Sequence, residues 1–276
     1  TSDIVQNVSP SVKERYVPHA VNSEFFKPHT EQEKAEFRQN FDKNHGTEGK
    51  FIFFWNNRNA RRKQSGSLIY WFKDFLDEVG HDKACLIMHT NPKDGYGQDL
   101  EAIVGALDMH SQNQVLFSTQ KLNMHQLAAF YNMVDCTINI SDAEGFGLAT
   151  LESMSCGTPI IVNKTGGLQE QVTDGKAVFG FGLEPDSKAI IGSQTVPFIY
   201  EDRLNGKKVT AAFKNMYSLN KETREIMGKS GREHVLKNYN FEDFASTWVE
   251  LMLNLYEEEG SWETRKHNNF RLLEVA

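Results

Sequence analysis

From Lys50 onward the chain alternates short, uninterrupted apolar runs with longer segments whose apolar residues recur at helical spacing. Residues 51–55 (FIFFW) are apolar at every position, and 67–79 (SLIYWFKDFLDEV) repeat apolar residues every three or four. The alternation then predicts a second strand at 84–89, a Gly/Asn/Pro-rich loop at 91–97, a helix near 98–109 and a third strand at 114–117. A helix over 123–133 capped by Asn123, a fourth strand at 136–140, a fifth at 160–162 and a sixth at 177–179 follow. Strands that are apolar throughout suit a parallel sheet covered on both faces, since an open face would demand alternation with polar residues. Strands joined by single helices then predict an α/β fold, a doubly wound parallel sheet of Rossmann-like type.

The flanks follow other rules. Residues 1–28 have no period of their own and close on Pro18 and Pro28, which fix backbone torsions and remove donors; a connector is expected there. Residues 31–44 predict an exposed helix stopped near Gly46. Glycines, Pro185 and Pro197 interrupt the rhythm over 180–201, which predicts an ordered loop or small hairpin, and helices return over 208–216 and 221–238. A last helix is expected from the N-cap Asn240, with Asp243 three residues on. Its apolar residues, Phe241, Phe244, Ala245, Trp248, Leu251, Met252 and Leu255, predict one buried face. The mixed tail beyond 257 carries Trp262. These breaks divide the chain into 1–28, 29–239 and 240–276.

Composition narrows the function classes. With 276 residues the chain can bury a sizeable core. A net charge of −7 argues against a nucleic-acid binder, which needs a basic stripe to neutralise phosphates. Cys85, Cys136 and Cys156 are an odd count in apolar or small-residue settings, so reduced, packed thiols and a cytoplasmic location are expected. No apolar run approaches the roughly 18 residues of a membrane span.

Candidate chemistry concentrates in 139–163, NISDAEGFGLATLESMSCGTPIIVN, a strand, loop, helix, strand unit. Ligands of open parallel sheets collect at the carboxyl ends of strands, where loops run into helix N-termini. The first-turn amides have no intrahelical acceptors and the helix dipole favours negative charge, so with Gly145 and Gly147 allowing close approach a phosphate is the natural guest. Glu144 and Glu152 would repel that phosphate unless they face ribose or sugar hydroxyls. As a glycosidase pair they are poorly spaced: eight helical steps are roughly 12 Å, beyond the ~5–9.5 Å such pairs need, though the segment is only partly helical. A basic cluster, Arg58 to Lys63, follows the first strand at the same edge and is suited to a diphosphate.

Residues 144–152 read E-G-F-G-x-x-x-x-E, followed by Ser153-Met154-Ser155-Cys156-Gly157-Thr158-Pro159 and, beyond the next strand, Thr165-Gly166-Gly167-Leu168-Gln169-Glu170. This resembles the donor-binding, C-terminal half of retaining GT-B glycosyltransferases, glycosyltransferase family 4 in particular, whose hallmark is two glutamates separated by seven residues. The likeness extends over most of the chain: 17–28 resemble the interdomain linker, Arg58 and Lys63 the diphosphate-binding pair, and the helix from Asn240 the C-terminal crossover helix. It implies that 29–239 bind a nucleotide sugar and move a hexose to an unknown acceptor.

By the same resemblance, Glu152 holds the ribose hydroxyls and Glu144 a donor-sugar hydroxyl. Backbone groups of Gly145, Phe146, Gly147 and Leu148 meet sugar and phosphates, Arg58 and Lys63 balance the leaving diphosphate, and the base lies near 119–122, beside Thr119 and Lys121. The family is generally metal-independent; no metal ligands and no cofactor beyond the donor are expected. Two departures matter. Asn57-Arg58 stands for the usual Gly-Arg and Gln64, not Gly, follows Lys63, which leaves the choice among Arg58, Arg61 and Arg62 open. An N-terminal acceptor domain is expected outside this chain, so an isolated nucleotide-sugar-binding module is the alternative, with a GT-B epimerase or phosphorylase a third.

Overall fold

The computed structural model describes residues 2–261, 263 and 264; Trp262 and 265–276 lie outside the described residues. Two compact units are present, one formed by Val21–Asn238 and the other by the described residues up to Ala20 and from Tyr239 on. In the smaller unit, helix α1 (Ser2–Val8) precedes a chain whose Lys13 pairs with Glu258 and Glu259.

The larger unit begins with a segment that packs closely. Val21 and Phe26 are buried, the Phe26 carbonyl accepts from Ser155 Oγ, and Asn132 Nδ2 donates to the Lys27 carbonyl. Helix α2 (Glu31–His45) starts in a capping box between Thr30 and Glu33 and ends at Gly46, whose φ of 62° is left-handed. Strand β1 (Phe51–Asn56), helix α3 (Ser65–Val79), β2 (Ala84–His89), α4 (Leu100–Ala106), β3 (Val115–Ser118), α5 (Met124–Met133) and β4 (Cys136–Asn139) follow. Next come α6 (Leu148–Ser155), β5 (Ile160–Asn163), α7 (Leu168–Gln171) and β6 (Gly180–Leu183). A hairpin of β7 (Ser187–Ile190) and β8 (Tyr200–Arg203) leads to α8 (Gly206–Ser218) and α9 (Lys221–Asn238), and α10 (Phe241–Glu259) belongs to the smaller unit.

The six strands β1 to β6 form one parallel sheet in the order β3-β2-β1-β4-β5-β6. Consecutive residues of β1 serve opposite faces. Phe53 packs with Phe72 and Phe75 of α3 and Phe213 of α8, while Phe54 stacks on Phe130 of α5 at 5.6 Å between centroids. Such two-sided burial is the reason an unbroken aromatic run forms this strand. The order reverses between β1 and β4, so the loops leaving these adjacent strands flank one crevice at the carboxyl edge, the usual ligand position in such sheets.

Two expectations are corrected. The sixth strand begins at Gly180, not at 177: Val178 is exposed and bridges back to Thr173, whose hydroxyl donates to the Ala177 carbonyl. The strand instead uses Gly180, where an added Cβ would fall 1.9 Å from the Ile160 carbonyl oxygen, so closeness to β5 rather than apolar side chains selects the residue. Helix α10 is capped by Asn240 as expected, but no residue of it is buried. Phe241, Phe244 and Trp248 touch one another along the helix; Phe241 and Trp248 are exposed, and Phe244, Ala245 and Leu251 are half-buried. Among the described residues no helix is long and apolar enough to cross a membrane.

Candidate active site

The strand-order reversal brings the basic loop after β1 against the acidic loop after β4. Residues Arg61–Lys63 form a single 3-10 turn ending at Gln64, whose φ of 55° is left-handed. Glycine would suit that backbone better; the compensation is that Gln64 reaches Asp142 with its amide nitrogen and accepts from Ser67 with its oxygen. Lys63, which precedes it, is buried and donates to Glu144 Oε2. Burial pushes the Lys63 ammonium below its usual range, and Glu144 works against that shift. The same Glu144 oxygen accepts from Asn139 Nδ2 at 3.2 Å and Ser141 Oγ at 3.5 Å. Two site residues separated by 81 positions are thus joined directly.

The three arginines have different partners. Arg58 is exposed, grips Asp94 at 2.7 and 3.2 Å and lies over Tyr96, so it does not touch Glu144. Arg61 makes a two-pronged pair with Glu201 at 2.9 and 2.7 Å. Arg62 donates to the Ala143 carbonyl at 2.6 Å and comes within 4.0 Å of Glu144 Oε1.

Helix α6 starts at Gly147, whose φ of 91° places its backbone where a side chain is strained, and an added Cβ would lie 2.5 Å from Leu168. No side chain caps this N-terminus, so its first-turn amides are left for an outside acceptor. Gly145 is exposed, with nothing within 4 Å of a built Cβ; Leu148 is exposed as well. Gln171 holds the Phe146 carbonyl at 2.6 Å, and the turn at Gly166-Gly167 packs so tightly under the loop that a Cβ on Gly166 would sit 1.7 Å from the Glu144 carbonyl oxygen. Glu152, one turn into α6, is turned away from Glu144: its Oε2 accepts from Tyr131 Oη at 2.8 Å, and Tyr131 Oη accepts from Asn56 Nδ2 at 2.8 Å. Burial pushes the Glu152 carboxyl up to about 7.

The remaining expected residues are apart from these. Thr119 and Lys121 are exposed in the loop after β3; Thr119 rims a cavity of about 360 Å³ walled by Phe41, His45, Phe117 and Phe130, whereas Lys121 does not line it. The three cysteines are free and buried, and burial raises the thiol of Cys85 to about 12, so none is a poised nucleophile. Among the described residues no three His, Cys, Asp or Glu side chains converge as metal ligands.

Several contributors were not foreseen from sequence. Asp142 is buried and held by Gln64 and Arg203; burial raises its carboxyl, and these two donors oppose that. Arg203 also pairs with Glu201 at 3.1 Å, which ties hairpin β7–β8 to both loops of the crevice. Asn57 Nδ2 and Thr90 Oγ1, just beyond β1 and β2, are buried without partners among the described residues. Asn57 had a signal, its replacement of a family glycine; Glu201 and Arg203 had none, lying in a segment with no period.

Residues 36–193 match the model of the family Glycosyl transferases group 1. A D-inositol 3-phosphate glycosyltransferase of Arthrobacter sp. (strain FB24) is 30% identical over 105 residues, 38% of this chain and 23% of that protein. Among solved structures, sucrose-phosphate synthase from Thermosynechococcus elongatus superposes with a TM-score of 0.71 at 22% identity, over 93% of this chain and 57% of that one. Anabaena Alr3699/HepE in complex with UDP and glucose superposes with a TM-score of 0.68 at 16% identity, over 87% and 57%. The chain therefore spans under two thirds of the length of each.

Proposed function

The chain belongs to the Glycosyl transferases group 1 family, and from that premise we propose that it is the donor-binding part of a retaining hexosyltransferase using a nucleoside-diphosphate sugar. The observation that carries this reading is the uncapped N-terminus of α6, opposite a buried lysine, at the point where the strand order reverses. A diphosphate there receives first-turn amides and the Lys63 ammonium together. Lys63 and Glu144 neutralise one another in the structure, so a bound donor sugar takes Glu144 through a hydroxyl while the diphosphate takes Lys63. Arg62 is nearest to reinforce that charge; Arg58 joins it on leaving Asp94.

Glu152 then receives the ribose hydroxyls, and the aromatic cavity beside Thr119 lies at the strand edge where the base is expected. In the transfer step the bond between anomeric carbon and diphosphate oxygen breaks as the acceptor oxygen bonds on the same face and gives its proton to the departing diphosphate oxygen, leaving the configuration unchanged. Lys63, the arginine and the helix N-terminus stabilise the charge on the departing diphosphate. The acceptor, and a further domain to hold it, belong to the proposal; without that domain the chain is a binding module.

Calorimetry against nucleoside diphosphates and their sugars, UDP-glucose among them, tests the reading. A ligand at 100 times its dissociation constant adds about 2.7 kcal/mol to stability. Glu152→Ala is expected to weaken nucleotide binding, and Lys63→Ala to lower turnover, measured with radiolabelled donor, more than binding. Unaltered nucleotide affinity in both variants sinks the assignment, and binding without transfer to any acceptor leaves the module.

A further inference from the structure

Beneath the crevice, three side chains from three elements form a chain of hydrogen bonds. Asn56, the last residue of β1, donates through Nδ2 to Tyr131 Oη of α5, and that hydroxyl donates its own proton to Glu152 Oε2 of α6. Tyr131 is wholly buried, with its ring edge-on to Phe26 at 6.1 Å and to Phe54 at 5.4 Å. The ring is therefore fixed by packing, and its hydroxyl has one place to point. Glu152 Oε1, by contrast, makes no hydrogen bond among the described residues.

We propose that Tyr131 is a positioning residue for donor binding: its hydroxyl, oriented by Asn56, holds one oxygen of Glu152 so that the other is presented to the vicinal hydroxyls of a nucleotide ribose. This rests on the reading that Glu152 meets the ribose. Hydroxyl donors bind an ionised carboxylate better than a neutral carboxyl. Burial drives Glu152 toward the neutral form and the Tyr131 hydrogen bond opposes it. The charged and titratable neighbours do not take over that task. Tyr131 itself is held well above its ordinary range by burial, and so is Cys156 at the end of α6. Arg232 of α9 reaches that helix end but is engaged by the Ser155 and Phe26 carbonyls. No described cation pairs with Glu152. Tyr131 is thus the donor that favours the ionised carboxylate and aims it.

The test is the pH profile of binding by wild type, Tyr131→Phe and Asn56→Ala, using ADP, GDP and UDP and the 2′,3′-dideoxy form of each. Wild-type affinity for the ribonucleotide is expected to rise with pH through neutrality. Tyr131→Phe keeps the ring packing and is expected to move that midpoint upward by about one unit, with roughly a fivefold loss at pH 7 that shrinks by pH 9. Asn56→Ala is expected to move it the same way by less, and serves if the first variant fails to fold. Dideoxy nucleotides are expected to bind wild type and variants alike. An equal loss at every pH, or an equal loss for dideoxy nucleotides, marks a merely structural tyrosine and overturns the proposal. Wild-type binding indifferent to the ribose hydroxyls, or absent for all three nucleotides, overturns instead the assignment of Glu152 on which it rests.

Discussion

Ionising Glu152 in the folded protein, where no described cation pairs with it, has a measurable cost. Its carboxyl is raised by burial from the ordinary 4.5 to about 7. Between these values the folded state binds more protons than the unfolded one. The contribution to stability is therefore fully present below pH 4.5 and is lost as pH rises through 7. The difference amounts to roughly 3 kcal/mol at pH 8. Glu152→Gln keeps an acceptor for Tyr131 and removes the charge; urea unfolding is expected to find it close to wild type at pH 4.5 and more stable by up to roughly 3 kcal/mol at pH 8. Equal stability of the two proteins at both pH values contradicts the burial of a charged form. A residue whose ionised form destabilises the fold is explained if a ligand, not the core, is its partner. Sequence singled out the two glutamates by spacing and glycine framing, and Lys63 by the basic cluster after the first strand and the family resemblance. Tyr131 was not, because a tyrosine in an apolar helix reads only as core, and its hydroxyl acquires a role only when β1 and α6 are placed beside it.

At the scale of elements, the loop entering α6 contains two glycines with different duties. Gly147 needs its left-handed backbone and has Leu168 2.5 Å from where a Cβ would stand. Gly145 has neither restriction and faces open space. Gly147→Ala is expected to destabilise by about 1–3 kcal/mol in denaturant unfolding, since strain and overpacking both act. Gly145→Ala is expected to stay within about 0.5 kcal/mol of wild type while weakening nucleotide-sugar binding in calorimetry. The reverse pattern refutes this division. Sequence identified both glycines with the same argument of close approach, and could not separate them, because backbone torsion and neighbours from 166–168 decide which one is structural. Caps were more readable: Asn123, Asn240 and the stop at Gly46 depend only on residues within one turn, and all three hold. The apolar face of α10 is at most half-buried, since periodicity states which face needs cover without supplying it.

For the whole molecule, the feature of greatest consequence is the lock formed by hairpin β7–β8. Arg203 joins Asp142 to Glu201, Glu201 holds Arg61, and the Asp202 amide donates to the Asp142 carbonyl at 2.8 Å. Segments near 61, 142 and 202 are thereby fastened around buried carboxylates. Arg203→Ala leaves Asp142 and Glu201 with one cation fewer and is expected to cost about 3 kcal/mol. Hydrogen exchange is expected to quicken at the amide of Asp202 and in the 141–147 loop while the central strands stay protected; unchanged exchange there refutes the lock. The glycine- and proline-interrupted stretch gave only a hairpin as its expectation, with no indication that its second strand braces the site.

Sequence by itself determined the first five strands and the helices between them, that the sheet is parallel and covered on both faces, and that 144–152 is where a phosphate is expected. These follow from period, caps and local backbone demands, all of which act within a few residues. Only the tertiary structure decided that β1 lies against β4, and hence that Lys63 meets Glu144, that Asn56 and Tyr131 stand under Glu152, and that Arg61 is diverted to Glu201. Each of these contacts joins positions distant along the chain. Their geometry is set by strand order and side-chain packing, which short-range patterns constrain but do not record.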